Sequence, residues 1–279
     1  MCEFCVRHGE GKVWYKNAKN YARQMYTIRK RTTKMKIDPE SAASQIIFEA
    51  IQTRNVDPHR FPEMQEKVTK LLATAPSNPG QVIPLQDALD VVDIASPIAT
   101  MSCICRRNQR ALDERDEKTR TCLGLGIGMF KWERWPERYK GGVEYITPEE
   151  CKEWLKKWDD LGMCHVLMVW GLYHDTPYIG GLCNCDYPIC GVMRFRLDYG
   201  LPTLLKGEYV AQVDHRKCQG CFTCVSRCQF GAIRREVTID KPNIDQSKCY
   251  GCGVCFNGCP RGAISLVRRE TIPGLRNVW

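Results

Sequence analysis

Between residues 147 and 162 the sequence TPEECKEWLKKWDDLG places Cys151, Trp154, Leu155 and Trp158 at i, i+3, i+4 and i+7, with polar residues between them. That period predicts an amphipathic helix with one buried face. Its ends are marked as well: Thr147 stands at the N-cap, Pro148 takes the first turn, Glu150 closes a capping box and Gly162 ends the helix. Cys151 thereby reads as a small core residue. The same four-three spacing at Trp14, Ala18, Tyr21, Met25 and Ile28 predicts a helix near the N-terminus. Asp38-Pro39 opens a further helix through ESAASQIIFEAIQ, and PEMQEKVTKLLAT and PLQDALDVVDIAS make two more, with APSNPGQVIP read as a loop between them. SPIATMSCICR and HVLMVWGLY read as strand-like or irregular. Cys164, just before the second of these, receives the core reading given to Cys151.

Length and composition set the scale. The chain has 279 residues, 43% hydrophobic and 26% charged, which fits a soluble globular protein of one to three domains with a real core. Its 18 cysteines exceed what packing needs. A disulfide scaffold is expected of small secreted domains, whereas MCEFCVRHGEGKVWY has neither a basic n-region nor an apolar h-region. The apolar stretch GMCHVLMVWGLY is shorter than the roughly 18 residues of a membrane span and is interrupted by His165. The expectation is a cytoplasmic protein whose cysteines are reduced and ligate metal.

The formal net charge of +9 ordinarily raises nucleic acid as a partner. Each four-thiolate cubane carries about −2 when oxidised, so two bring the balance to about +5 and four to about +1. No nucleic-acid partner is expected on that account. The charge is also local: residues 1–36 hold ten lysines and arginines against Glu3 and Glu10. With the amphipathic period, this reads as a basic helix packed on the protein's own core or on a partner. Contact with a membrane surface is the alternative.

Residues 218–228 read CQGCFTCVSRC and residues 249–259 read CYGCGVCFNGC, both C-x2-C-x2-C-x3-C. In that spacing a tight loop wraps three thiolates around one cubane while the fourth reaches another. The flanks repeat too: Val213-Asp214 corresponds to Ile244-Asp245 and Ala232-Ile233 to Ala263-Ile264, which marks an internal duplication. Gly220 and Gly251 stand where loop backbone approaches sulfur. Zinc needs only four thiolates per site and leaves the x2-x2-x3 spacing unexplained. Neither C-x-x-C-H, for c-type haem, nor C-x3-C-x2-C, for adenosylmethionine radical chemistry, occurs. Residues 209–270 resemble the bacterial dicluster 4Fe-4S ferredoxin family. The resemblance implies crossed ligation, with Cys218, Cys221, Cys224 and Cys259 holding one cluster and Cys249, Cys252, Cys255 and Cys228 the other. Where the family has proline after the fourth cysteine, the first run has Gln229; the second has Pro260.

Eight further cysteines come as Cys2 and Cys5, Cys103 and Cys105, Cys122, and Cys183, Cys185 and Cys190. In an extended segment the two cysteines of C-x-C face one side about 6.6 Å apart, against ~3.8 Å for thiolates on one zinc. The wider gap favours an iron-sulfur site unless a turn closes it. The segments CICR, TCLGLG and CNCDYPICG, followed by the two runs, are similar to a group of ferredoxin-type proteins from anaerobic bacteria. On that basis Cys183, Cys185 and Cys190 are expected to share a third metal site with Cys103, Cys105 and Cys122. Six thiolates exceed one cubane; with Cys2 and Cys5 there are enough for two, giving three or four clusters in all. GLGIG, residues 124–128, lacks the G-x-G-x-x-G spacing of a nucleotide loop.

The expected fold is α+β. It comprises a basic segment over 1–36, a helical cysteine-rich domain over 37–208, a ferredoxin-like dicluster domain with a pseudo-twofold repeat over 209–270, and a tail over 271–279. With most cysteines in redox sites and no nucleophile-base constellation, the expected function is electron transfer within an oxidoreductase complex. The resemblance implies redox partner subunits, such as a flavin- or tungsten-dependent oxidoreductase or an electron-transferring flavoprotein. Lys217, Arg227, Lys248 and Arg261 are expected beside the clusters, raising their potentials and offering a docking face to an acidic partner. Two readings compete. One is an enzyme whose N-terminal cluster keeps an open iron, with His165, His174 and Asp186 as additional groups; the other is a zinc-stabilised binding module fused to the ferredoxin.

Overall fold

The computed structural model describes residues 14–18, 21, 49, 58–74, 80–110, 117–126, 143–170 and 178–278. Cys2, Cys5, His174 and all but Glu49 of the helix expected over residues 40–52 lie outside them. Of the basic N-terminal segment, a 3₁₀ turn at Trp14–Lys16 and two buried tyrosines, Tyr15 and Tyr21, are described. The Tyr15 hydroxyl donates to Asp87 (2.6 Å), the Tyr21 hydroxyl donates to the Tyr15 carbonyl (2.6 Å), and Lys16 pairs with Asp87 (2.8 Å) and Asp90 (2.7 Å). At these residues the segment packs on the protein's own core.

The middle of the chain is built on a seven-stranded sheet, where the sequence leads one to expect helices. Its strands are β1 (Gly80–Ile83), β2 (Ile98–Met101), β3 (Cys122–Leu125), β4 (Val143–Ile146), β5 (Cys164–Trp170), β6 (Tyr178–Cys185) and β7 (Leu204–Leu205). They lie in the order β4-β2-β3-β6-β5-β1-β7. β7 runs parallel to β1, and every other pairing is antiparallel. The physical reason for the misreading is strand length. β1, β2 and β3 have 4 residues each, and β1 falls inside the stretch read as a loop, yet Gln81, Val82 and Ile83 are all buried. A short strand covered on both faces leaves no alternation to read.

The helices are α1 (Phe61–Thr74), α2 (Leu85–Ile94), α3 (Ile104–Arg110), α4 (Pro148–Asp160) and α5 (Gly191–Leu197). α1, α2 and α4 form where the apolar period predicts them. In α4 the Thr147 side chain accepts from the Glu150 amide (3.2 Å) and Glu150 accepts from the Thr147 amide (2.8 Å), closing the box. Period two then sorts the sheet into two faces. Leu123, Leu167 and Leu182 pack against Val91 of α2 and Leu155 of α4. The opposite face carries Val82, Val166, Cys183 and Cys185, covered by Met193 of α5 and by Phe230 and Tyr250 of the C-terminal segment.

That segment pairs β8 (Tyr209–Val213) with β11 (Ile264–Arg268) and β9 (Ile233–Glu236) with β10 (Lys241–Ile244), both antiparallel. Two short helices, α6 (Thr223–Arg227) and α7 (Val254–Asn257), pack against each other. Helices and sheets in one chain make the fold α+β. Gly251 has a φ of +72°, and a Cβ there would collide with the Tyr209 carbonyl, so only glycine lets the cysteine loop lie on β8. Gly126, in GLGIG, has a φ of +60° and would bring a Cβ to 2.9 Å from the Tyr21 carbonyl, so it serves close packing. Among the described residues no helix is long and apolar enough to cross a membrane.

Candidate iron-sulfur sites

Two cavities open in the C-terminal segment. Cys218, Cys221, Cys224 and Cys259 line the first, and Cys228, Cys249, Cys252 and Cys255 line the second. Each takes three cysteines from one run and the fourth from the other, because α6 and α7 pack together and each run's last cysteine lies at or just past its own helix. Donors surround the sulfurs. The Ala211 and Gly251 amides donate to Cys249 Sγ (3.4 Å each), the Ala263 amide to Cys259 Sγ (3.3 Å) and the Thr223 hydroxyl to Cys221 Sγ (3.5 Å). The first cavity lies at the surface, with Cys221 exposed; Cys249 and Cys255 of the second are buried. Hydrogen bonding from Thr223 lowers the Cys221 pKa. Burial pushes Cys224 up to about 11 and raises Cys228, Cys249 and Cys255. Thiols this deep become thiolates when a cationic centre stabilises them. Each set of four therefore fits a cubane in number, donor chemistry and placement.

Two buried cations flank the second cavity. Arg269, fully buried, donates Nε to the Gly207 carbonyl (2.9 Å) and Nη2 to the carbonyls of Tyr209 (3.0 Å) and Cys249 (2.7 Å). Lys206 donates to the Ser247 carbonyl (2.6 Å) and lies over the Tyr250 ring. Burial lowers the pKa of both. Sequence reasoning missed this pair, since nothing in LLKGEY or VRRET separates a buried cation from a solvated one. Of the cations it did name, Lys217, Lys248 and Arg261 are exposed. Arg227 turns inward instead, donating to the carbonyls of Val254 (3.1 Å), Asp160 (3.0 Å) and Asp159 (2.8 Å).

A second cysteine assembly lies on the sheet. Cys122 and Cys183 are opposite one another across β3 and β6, and Cys185, two residues on, shares their face. Cys190, at the N-cap of α5, brings its sulfur to 3.1 Å from that of Cys185. Cys103 and Cys105 follow β2 at the entry to α3, a turn that closes their C-x-C gap. The six thiols form a closed ring of neighbours, running Cys103, Cys105, Cys190, Cys185, Cys183, Cys122 and back to Cys103. Contact with two neighbouring thiols draws Cys103, Cys183 and Cys190 below the ordinary thiol range, Cys183 to about 6. The same contacts push Cys105, Cys122 and Cys185 up. Among the described residues no group of three or more His, Cys, Asp or Glu is arranged to hold a metal ion. The turn at Cys103–Cys105 removes the wide C-x-C gap that favoured iron-sulfur over zinc, and what the ring supplies toward a cluster is six thiol donors gathered in one place.

The other residues singled out by sequence take varied places. Asp186 pairs with Arg106, whose backbone amide donates to Cys103 Sγ (3.4 Å); burial raises the Asp186 pKa. His165 lies on the opposite face of the sheet from the ring, with Nδ1 2.6 Å from Asn184 Oδ1 and Nε2 3.5 Å from Asp159 Oδ1. Cys151 and Cys164 are both fully buried. Cys164 is more than filler. It stands opposite Cys185 in the sheet register and beside Cys252, and that neighbour together with burial raises its pKa. The Cys252 pKa is lowered by the same contact.

Comparison with curated proteins finds no match. Residues 217–263 match the family model of the 4Fe-4S dicluster domain, which makes this part of the chain an iron-sulfur electron-transfer domain.

Proposed function

We propose that the chain is an electron-transfer subunit of an anaerobic oxidoreductase complex, holding two 4Fe-4S clusters in its C-terminal segment and a third cluster in the six-thiol ring. Cys218, Cys221, Cys224 and Cys259 hold the outer site, Cys249, Cys252, Cys255 and Cys228 the inner one, and Cys103, Cys105, Cys122, Cys183, Cys185 and Cys190 the third. When bound, such clusters supply one-electron exchange at potentials set by exposure, charge and hydrogen bonds to sulfur. The protein side chains fix the order of the sites and tune them. Arg269 and Lys206 favour added negative charge at the inner site. The redox partner is a flavin- or tungsten-dependent oxidoreductase or an electron-transferring flavoprotein, in keeping with the resemblance of the cysteine segments.

The observation that carries the reading is the adjacency of the three thiol sets. Cys221 is exposed, Cys252 of the inner set meets Cys164, and Cys164 stands opposite Cys185 of the ring. Iron, acid-labile sulfide and zinc measured on protein purified without oxygen test it. The expected result is clearly more than the roughly eight iron and eight sulfide of two cubanes, without zinc, and Cys183→Ala removing only the excess. About eight iron accompanied by zinc would return the ring to a structural clasp and leave a two-cluster ferredoxin.

A further inference from the structure

The position after the fourth cysteine differs between the two runs: Pro260 follows Cys259, but Gln229 follows Cys228. The Gln229 side chain lies in the seam between the C-terminal segment and the sheet. Its Oε1 accepts from the backbone amide of Tyr187 (2.6 Å), and its Nε2 donates to the carbonyls of Gly162 and, at 3.5 Å, Cys185. Tyr187 lies between Cys185 and Cys190 in sequence, so one amide side chain ties the neighbour of an inner-site cysteine to the loop carrying two ring cysteines. No proline at this position can make those bonds.

Cys164 occupies the same seam from the sheet side. It points to the cysteine-bearing face, opposite Cys185, and lies beside Cys252 of the inner site. Phe230 stacks on Tyr250 at 4.1 Å, and both pack with Cys183, Cys185 and Cys252 in one apolar cluster, which keeps the passage dry. Arg227 closes the far side by capping the last carbonyls of α4.

We propose that Cys164 and Gln229 form an electron-transfer junction between the inner cysteine site and the six-thiol ring. Cys164 acts by donating its S–H to Cys252, and Gln229 by locking the Cys185–Cys190 loop against the C-terminal segment. The inference rests on the third site of the proposed function. One electron leaves the reduced inner site, oxidising it, and reduces the ring site; no proton or bond need move. Both side chains are positioning residues: they set separation and potential and bind no substrate. A hydrogen bond to a ligand sulfur stabilises the more negative, reduced state, so Cys164 raises the inner potential. Electron tunnelling falls steeply with distance, so a seam held by Gln229 fixes the rate.

The test uses the full chain purified without oxygen and reduced with dithionite, read by electron paramagnetic resonance and potentiometric titration with iron and sulfide counted in each sample. Wild type is expected to show a spin–spin splitting between the ring paramagnet and the dicluster signals. Cys164→Ala should shift the inner potential to more negative values at unchanged iron content, and Cys164→Ser, which keeps a donor, should recover it. Gln229→Pro should weaken the splitting; if that variant loses iron, Gln229→Glu, which keeps the acceptor for Tyr187 and loses the donor, takes its place. A fully loaded wild type whose potential ignores Cys164→Ala and whose splitting survives both Gln229 variants overturns the junction alone. About eight irons and no third paramagnet in wild type overturns the third site and the junction with it.

Discussion

Arg269 carries a guanidinium into the C-terminal core with no exposed surface and spends its donors on backbone carbonyls, including that of Cys249. Those bonds go to carbonyl oxygens, and burial raises the pKa of the neighbouring Glu208 carboxyl, so the guanidinium favours an extra electron nearby. At an effective dielectric of about 20 and a separation on the order of 8 Å, one charge is worth about 2 kcal/mol, roughly 90 mV for a one-electron couple. Arg269→Gln should therefore lower the inner-site potential by that order in a redox titration. Arg269→Lys should hold the potential near wild type while losing stability, because a single ammonium cannot reproduce the fork. Glu208 presents the opposite case. It is buried, accepts from Gln81 Nε2 at 3.3 Å, and burial raises its pKa. A raised folded-state value means that the protonated form favours the fold. That contribution is fully present below the unfolded-state value and is lost as pH rises through the folded one. Denaturant midpoints should show Glu208→Gln at least as stable as wild type at pH 7, with wild type gaining on it as the medium is acidified.

Elements differ in how far the sequence discloses them, and α4 and β1 mark the extremes. α4 could be read end to end because its cap, its stripe and its stop are local signals, each set within a turn or two of chain. Thr147→Ala should cost about 1 kcal/mol of stability, visible as a lower melting temperature with metal content unchanged, while Thr147→Ser should cost little. β1 could not be read, since its status as an interior strand depends on β5 and β7, which lie far along the chain. The cysteine sites divide in the same way. The two runs disclose themselves by spacing alone. The six-thiol ring needs four separate pieces of chain, from the end of β2, from β3, from β6 and from the N-cap of α5, and the sequence could pool those cysteines without ordering them. Cys164 was hidden more deeply. A buried cysteine in an apolar strand looks like filler until the register sets it opposite Cys185 and the fold brings Cys252 to it. Gln229 was visible only as a departure from proline; its purpose depends on Tyr187 and Gly162, each more than forty residues away.

At the scale of the whole molecule the thiol sets are ordered by exposure. The outer set reaches solvent at Cys221, whereas the cysteines of the inner set and the ring are all buried or only partly exposed. An external partner therefore meets the outer site first. The surface around it carries Arg216, Lys217 and Arg261, all exposed, while Arg227 has been withdrawn into the seam. Exposed like charges at one port act on encounter more than on affinity, and they do so within a Debye length of about 10 Å at 0.1 M salt. Small mediators of opposite charge separate this effect from any particular partner. Stopped-flow reduction by an anionic sulfonated quinone should slow on the order of tenfold at low salt when Lys217 and Arg261 are both replaced by glutamate, and reduction by a cationic viologen should quicken. Both differences should fade as salt rises. Equal rates for wild type and the double variant with both mediators would place electron entry elsewhere. The ring would then be the next site to examine, because Cys103, Cys105, Cys122 and Cys183 keep partial exposure.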